Sequence, residues 1–162
     1  MNKKEIYNIS FDSAREQEEM VRKYLLEKAD IVRYTNYPNE WALGILVIIP
    51  FPIYKNCRGK EFQKSLQEFK ADFIKKETNN MLYNGVPQEN HLVDHYYYRL
   101  SDRMKKFINE ITLLSNPLGF ADPTFYKENK IICSIISHEP VFVFILDDSE
   151  RQELNQKGII FD

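Results

Sequence analysis

Lys130-Ile131-Ile132-Cys133-Ser134-Ile135-Ile136-Ser137-His138-Glu139-Pro140-Val141-Phe142-Val143-Phe144-Ile145-Leu146 is the stretch on which the fold turns. Two runs rich in β-branched and aromatic residues flank Ser137-His138-Glu139-Pro140, which has the composition of a tight turn. Each run is apolar at successive as well as alternate positions, as in strands covered on both faces. Thr124 to Tyr126, followed by the turn residues Lys127-Glu128-Asn129, extends the pair upstream into a three-strand meander. Downstream, Asp147 and Glu150 have capping-box spacing at the head of a short helix, and Gly158 supplies its C′ stop. Ile159-Ile160-Phe161 is expected to add a closing strand.

Further from this centre the same two-sided pattern recurs in Trp41 to Ile49, ended by Pro50 and Pro52. Ile31 to Thr35 reads as a companion strand across the turn residues Tyr37-Pro38-Asn39-Glu40. Three amphipathic helices are predicted. Ser10 to Ala29 carries Ala14, Val21, Leu25 and Ala29 on one stripe. Glu61 to Glu77 carries Phe62, Leu66, Phe69 and Phe73. Val93 to Leu114 aligns Val93, Tyr96 or Tyr97, Leu100, Met104, Phe107, Ile111 and Leu114. Asn79 to Asn90, with Gly85 and Pro87, is expected to be a connecting loop, and Asn116-Pro117-Leu118-Gly119 to stop the third helix.

Helices and strands do not alternate regularly in this order, which argues against a doubly wound parallel sheet. The expectation is a single α+β domain over 1–162. Its mainly antiparallel sheet of five to six strands packs with three long helices and one short C-terminal helix. A chain of 162 residues with 43% apolar and 14% aromatic content has ample material for a core. Five glycines and seven prolines are few for a many-turned β-sandwich. The formal charge of −2 implies no polyanionic or polycationic partner. Cys57 and Cys133 form no CxxC pair, and Cys133 falls where a free thiol acts as a small buried hydrophobe. The first residues lack the apolar core of a signal peptide, and the longest apolar run is too short to span a bilayer as a helix. A cytoplasmic location with no membrane association is therefore expected.

Three constellations stand out. His91-Leu92-Val93-Asp94-His95 has two imidazoles at i and i+4, which on a helix would share a face and could bind zinc. It has the outline of an inverted zinc-protease signature, with Asp94 where that motif has Glu. The plainer account is a polar helix N-terminus with Asp94 complementing the dipole. His138-Glu139 sets an imidazole and a carboxylate on a turn, as a general base, a third metal ligand or simply an exposed polar pair. Tyr96-Tyr97-Tyr98-Arg99 would spread over about 200° of a helix, leaving a tyrosine exposed beside Arg99. Tyr and Arg are enriched at interfaces, so Tyr97, Tyr98 and Arg99 are candidate partner-binding residues, against the alternative that the rings only edge the core.

Familiar chemistry is missing elsewhere. The sequence holds no GxGxxG, no P-loop and no GxSxG elbow. Glu128-Asn129-Lys130 has an acid-x-Lys outline but falls in an expected turn. Lys55 to Glu77 carries seven basic residues against four acids, whereas Glu139 to Asp162 carries six acids against two basic residues. Without a binding module, the basic segment ranks nucleic acid last among partners and fits the solvated face of a helix. The expectation is a non-enzymatic protein-interaction module, of the bacterial immunity-protein or antitoxin kind or a regulatory subunit, needing no cofactor. The alternative is a small zinc hydrolase built on His91, His95 and His138.

Overall fold

The computed structural model describes residues 3–36, 67–83, 86–114, 121–137 and 139–162. In chain order these form β1 (Glu5–Ile9), α1 (Phe11–Lys28), β2 (Ile31–Asn36), β3 (Phe73–Tyr83) and β4 (Val86–Arg99). They continue as α2 (Asp102–Glu110), β5 (Ala121–Lys127), β6 (Lys130–Ile136), β7 (Val141–Leu146) and α3 (Asp148–Gln156). The described strands make one sheet in the order β1-β7-β6-β5-β2-β4-β3, with every neighbouring pair antiparallel. The architecture is α+β, with seven strands rather than five or six, and three helices among the described residues.

Period-two alternation decides which side chains form the core. Ile9 on β1, Phe142, Phe144 and Leu146 on β7, Cys133 and Ile135 on β6, and Phe125 on β5 are buried and aligned by register. Val32 and Tyr34 on β2 and Tyr98 on β4 continue the same face. Onto it pack Ala14, Val21, Tyr24 and Leu25 of α1, Met104 and Ile108 of α2, and Leu154 of α3, in one cluster. The other face carries Ile6, Val143, Ile145, Val141 and Ile136 at the β1 side, and Arg33, Thr35, His95 and Tyr97 further along. β6 and β7 are therefore interior strands, but one face packs densely and the other stays half-exposed.

Local chemistry sets the ends. Asp147 accepts from Ser149 N–H and Glu150 N–H at 3.0 Å, and Glu150 accepts from Asp147 N–H at 2.8 Å, the capping box expected at α3. Gly158 follows with φ +86, a left-handed conformation that glycine adopts without a side-chain clash. Glu128 and Asn129 both have positive φ and join β5 to β6 in a two-residue hairpin, with Glu128 N–H bound to Asp30 Oδ2 at 3.0 Å. The acid-x-Lys triplet is thus a turn. At the other end of the pair, Ser137 N–H donates to Asp122 Oδ1 and Asp122 N–H to Ser137 Oγ.

Several sequence expectations are overturned. The third long helix does not exist as drawn: Val93 to Arg99 is strand, Ser101 caps a new start through Met104 N–H, and only Asp102–Glu110 is helical. The described end of the second helix gives way at Gln67–Glu68, and Phe73 begins β3, which pairs with β4 from Phe73↔Tyr98 to Tyr83↔Val86. Asn79–Tyr83 and Val86–Asn90 are therefore strand rather than loop. β1 was not anticipated. Ile159-Ile160-Phe161 is not a strand either. It is held by Gln17, whose amide bonds Ile160 N–H at 2.6 Å and Ile160 O at 3.0 Å, and by Asp162 N–H on Asn8 O. Trp41–Ile49, with its turn and prolines, lies outside the described residues.

Strand alternation gives a direct test. Tyr98 points into the core and Tyr97 away from it, so Tyr98→Ala should cost about 3–5 kcal/mol, as for other large aromatic deletions. Tyr97→Ala should cost roughly 1–1.5 kcal/mol, about one hydrogen bond. Urea denaturation of the two variants checks this. Equal losses would contradict the assignment of β4 as a strand.

Candidate functional site

Three strands supply the polar centre of the face opposite the described helices. β2 brings Arg33 and Thr35, β4 brings His95 and Tyr97, and β5 brings Thr124 and Tyr126. They share a face because Val32 and Tyr34 take the core side, leaving their odd-numbered neighbours to the other. Arg33 lies directly across from Tyr97 on one side and Thr124 on the other. The rings of Tyr97 and Tyr126 meet over β2 with centroids 6.0 Å apart. β3 adds Lys75 and Glu77 at the sheet edge, opposite Tyr97 and His95.

The Arg33 guanidinium is half-buried, and its Nη2 donates to Thr124 Oγ1 at 2.8 Å. Its Nε is buried and meets no acceptor, and among the described residues Arg33 forms no ion pair. Glu77 flanks this centre from β3, whereas Asp94 lies on the helix-side face with Tyr96, and both are engaged elsewhere. Glu77 accepts from Lys75 Nζ at 2.6 Å and from Tyr97 Oη at 2.7 Å. Asp94 accepts from Thr78 Oγ1 at 2.7 Å and pairs with Lys76 at 2.9 Å.

Those contacts set the protonation states. Lys75 first, then Tyr97, holds the Glu77 carboxyl below the usual range. Burial, helped by the bond to Glu77, pushes the Tyr97 phenol up to about 12. Burial lowers His95 below the ordinary histidine value, and the Arg33 charge lowers it further, against the opposing pull of Glu77 and Asp94. His95 Nδ1 lies 3.1 Å from Thr35 Oγ1. Thr35 is itself buried, so this hydroxyl–imidazole pair orients the ring and offers no nucleophile to solvent. The site can present a fixed cation beside two aromatic rings.

Among the described residues, those expected from sequence do not gather at one place. His91 and His95 lie on strand β4, where a rise of about 3.3 Å per residue sets their Cα atoms about 13 Å apart, so the helical turn behind the zinc pair is absent. The His91 side chain and His138 lie outside the described residues. Among the described residues no group of three His, Cys, Asp or Glu is placed to hold a metal. Glu139 is exposed at the β6–β7 turn. Tyr98 is completely buried, its ring 6.4 Å from Tyr34, while Tyr97 and exposed Arg99 share the opposite face. Cys133 is buried, and burial raises its thiol well above the ordinary value. Sequence reasoning missed Arg33, Thr35, Thr124 and Tyr126. The signal for Arg33 was present: one arginine between Val32 and Tyr34 in a β-rich run must leave the core face.

No protein-family model, no curated protein and no solved structure matches the chain.

The state of His95 predicts a pH dependence. Its pKa is lower in the folded than in the unfolded chain, so the unfolded state takes up the proton first as pH falls below about 6.5. Stability should therefore drop between pH 7.5 and pH 5.5 as this imidazole resists charging. His95→Gln should lose less thermal stability over the same interval, measured by circular dichroism. An identical pH response in both proteins would contradict the burial of His95 as neutral imidazole.

Proposed function

We propose that this chain is a non-enzymatic protein-interaction module, acting as an immunity protein, antitoxin or regulatory subunit does, and that it docks its partner on the sheet face opposite the three described helices. One observation carries this reading: that face bears half-exposed aliphatic side chains on β1, β6 and β7 and a Tyr/Arg centre on β2, β4 and β5, joined through Ser134 and Thr124. Ile6, 68% exposed, pairs across strands with Ile145; Val143 and Val141 follow on β7, and Ile136 lies beside Val141. Beyond them come Tyr126, Arg33, Tyr97 and Arg99. Aliphatic surface on the same face as tyrosine and arginine is the composition of an interface core.

The helix side differs in character. Two surface hollows of about 520 Å³ and 280 Å³ lie there, one bordered by Glu19, Arg22 and Asn109 and the other by Tyr7, Arg151 and Phe161. Charge on this side is consumed in surface pairs such as Lys4–Glu150 and Lys28–Glu153.

Affinity capture with three forms of the protein tests the assignment. Wild type, an Ile6→Asp/Val143→Asp variant and a helix-side control, Arg151→Glu, are compared after circular dichroism shows that all are folded. A partner retained by wild type and control but released by the sheet-face variant is the expected result. Equal retention by all three, or loss only from the control, would remove the docking face.

A further inference from the structure

We infer that in the free protein the docking face is covered by a second copy of the chain, the two sheets packing face to face about a two-fold axis that runs along β5. This rests on the docking reading above and names what occupies that face before a different partner does.

The sheet is laid out for such a rotation. β5 is the middle strand of the seven, with β6, β7 and β1 on one side and β2, β4 and β3 on the other. One row of paired positions crosses the docking face through Thr124 on β5. It runs to Ser134, Val143 and Asn8 on one arm and to Arg33, Tyr97 and Lys75 on the other. Thr124 is buried at the centre, and the arms differ in bulk. The first arm is low and carries no charge. The second is high: the Tyr126 ring meets Tyr97 over β2, and Lys75 Nζ lies 4.6 Å from the centre of the Tyr97 ring.

A face with one low and one high half complements itself. Rotation about β5 sets Tyr97 of each copy opposite Val143 of the other, and Arg33 opposite Ser134, large on small. The adjoining row repeats the pattern. Ile145 and Ile6 stand on the low arm, and Arg99, paired with Ile31, stands on the high one, so that the aliphatic stem of Arg99 faces Ile145. Arg33, Arg99 and Lys75 all lie on one arm, so the same rotation keeps each away from its counterpart. The other aligned packing, with the axis across the strands, stacks the two Tyr/Arg arms and brings like charges together.

The size of the face points to the same occupant. Seven strands about 4.8 Å apart, each contributing about five residues, span roughly 34 Å by 17 Å. Side-chain relief brings that surface near the roughly 800 Å² that each partner of a stable complex covers. A helix about 10 Å across would cover only a third of the width. A second sheet matches it, and among the described residues all three helices pack on the other face.

Size-exclusion chromatography with light scattering on the whole chain, from about 1 to about 100 µM, tests the inference in the range where an interface of this size associates. At the upper concentration the mass should approach twice the 19.3 kDa of one chain. Val143→Asp and Tyr97→Lys should each weaken the dimer at least about tenfold, because each sets a charge against an apolar surface. Arg151→Glu, on the helix side, should leave it unchanged. An equimolar mixture of Val143→Asp and Tyr97→Lys chains should recover dimer, since one contact then joins opposite charges and the other is native. Circular dichroism checks that each variant is folded. Ile6→Asp, at a position 68% exposed, replaces Val143→Asp if that chain does not fold, and should also weaken the dimer.

A monomer at every concentration overturns the second copy and leaves partner capture through Ile6 and Val143 standing. A dimer indifferent to the sheet-face variants, or broken by Arg151→Glu, overturns it as well. Single variants that dissociate without recovery on mixing overturn the axis along β5. A dimer that responds as expected, while affinity capture retains no other protein, upholds the second copy and removes the docking of a different partner.

Discussion

Phe144 occupies the point where the sheet, α1 and the C-terminal tail meet, and its packing fixes the rest of the molecule. Its ring lies 6.3 Å from Tyr24 on α1 and 5.5 Å, nearly perpendicular, from Phe161 in the tail. Across strands it pairs with Tyr7 on β1 and with Cys133 on β6. Tyr7 in turn stacks on Phe161 at 5.5 Å. One side chain therefore sets the register of three strands and the position of two further segments. A slip of one residue in β7 would move Phe142, Phe144 and Leu146 together to the opposite face. Buried aromatic area of this kind outweighs any single polar contact in the structure.

The tail shows how polar groups serve that packing. The chain after α3 lacks the regular ladder that would satisfy its backbone, yet Ile159 is fully buried. Gln17 supplies what a strand partner otherwise would, accepting from Ile160 N–H and donating to Ile160 O. Ser10, at the head of α1, binds Asp162 through both its backbone N–H and its hydroxyl instead of capping its own helix. The first helix and the last residues are thus fastened to each other, with the edge strand β1 between them. Glu18, next to Gln17 in the middle of α1, performs a similar service for the chain after α2, accepting from Leu113 N–H at 2.7 Å while Arg22 holds it at 2.6 Å.

What the sequence made legible follows from which periodicity was unambiguous. β5 to β7, α1 and α3 were readable because their turns and caps are specified locally: Glu128-Asn129, Asp147 with Glu150, and Gly158. The region 67–99 was misread because three successive tyrosines satisfy a helical and an extended period equally well. Val93, Tyr96 and Leu100 matched a helical stripe, while the strand places Val93, His95 and Tyr97 on one face and Tyr96, Tyr98 and Leu100 on the other. Polar Lys75 to Asn80 has weak β-propensity and becomes strand only by pairing with β4, a tertiary effect invisible in its own residues. The Asn84-Gly85 dipeptide, a strong hairpin signal, was the clue that should have counted most. The site suffered the same fate: once β4 is extended, Tyr97 parts from Tyr98 and joins Arg33, a residue whose role depends on partners some 60 and 90 positions away in the chain.

Division of labour between the two faces explains how a marginally stable fold can carry an unsatisfied cation at its middle. Nearly all the large buried side chains, from Ile9 to Phe144, stabilise the helix-side face. The opposite face is then free to hold groups that add little to stability in the isolated chain. Arg33 sits on β2, two strands in from the β3 edge of the sheet, where the flanking strands shield it from solvent. An exposed arginine at the rim would be hydrated and screened, and its contribution to recognition would be small. A central arginine has already lost part of its hydration in the folded chain, so less of that cost falls on any contact made there.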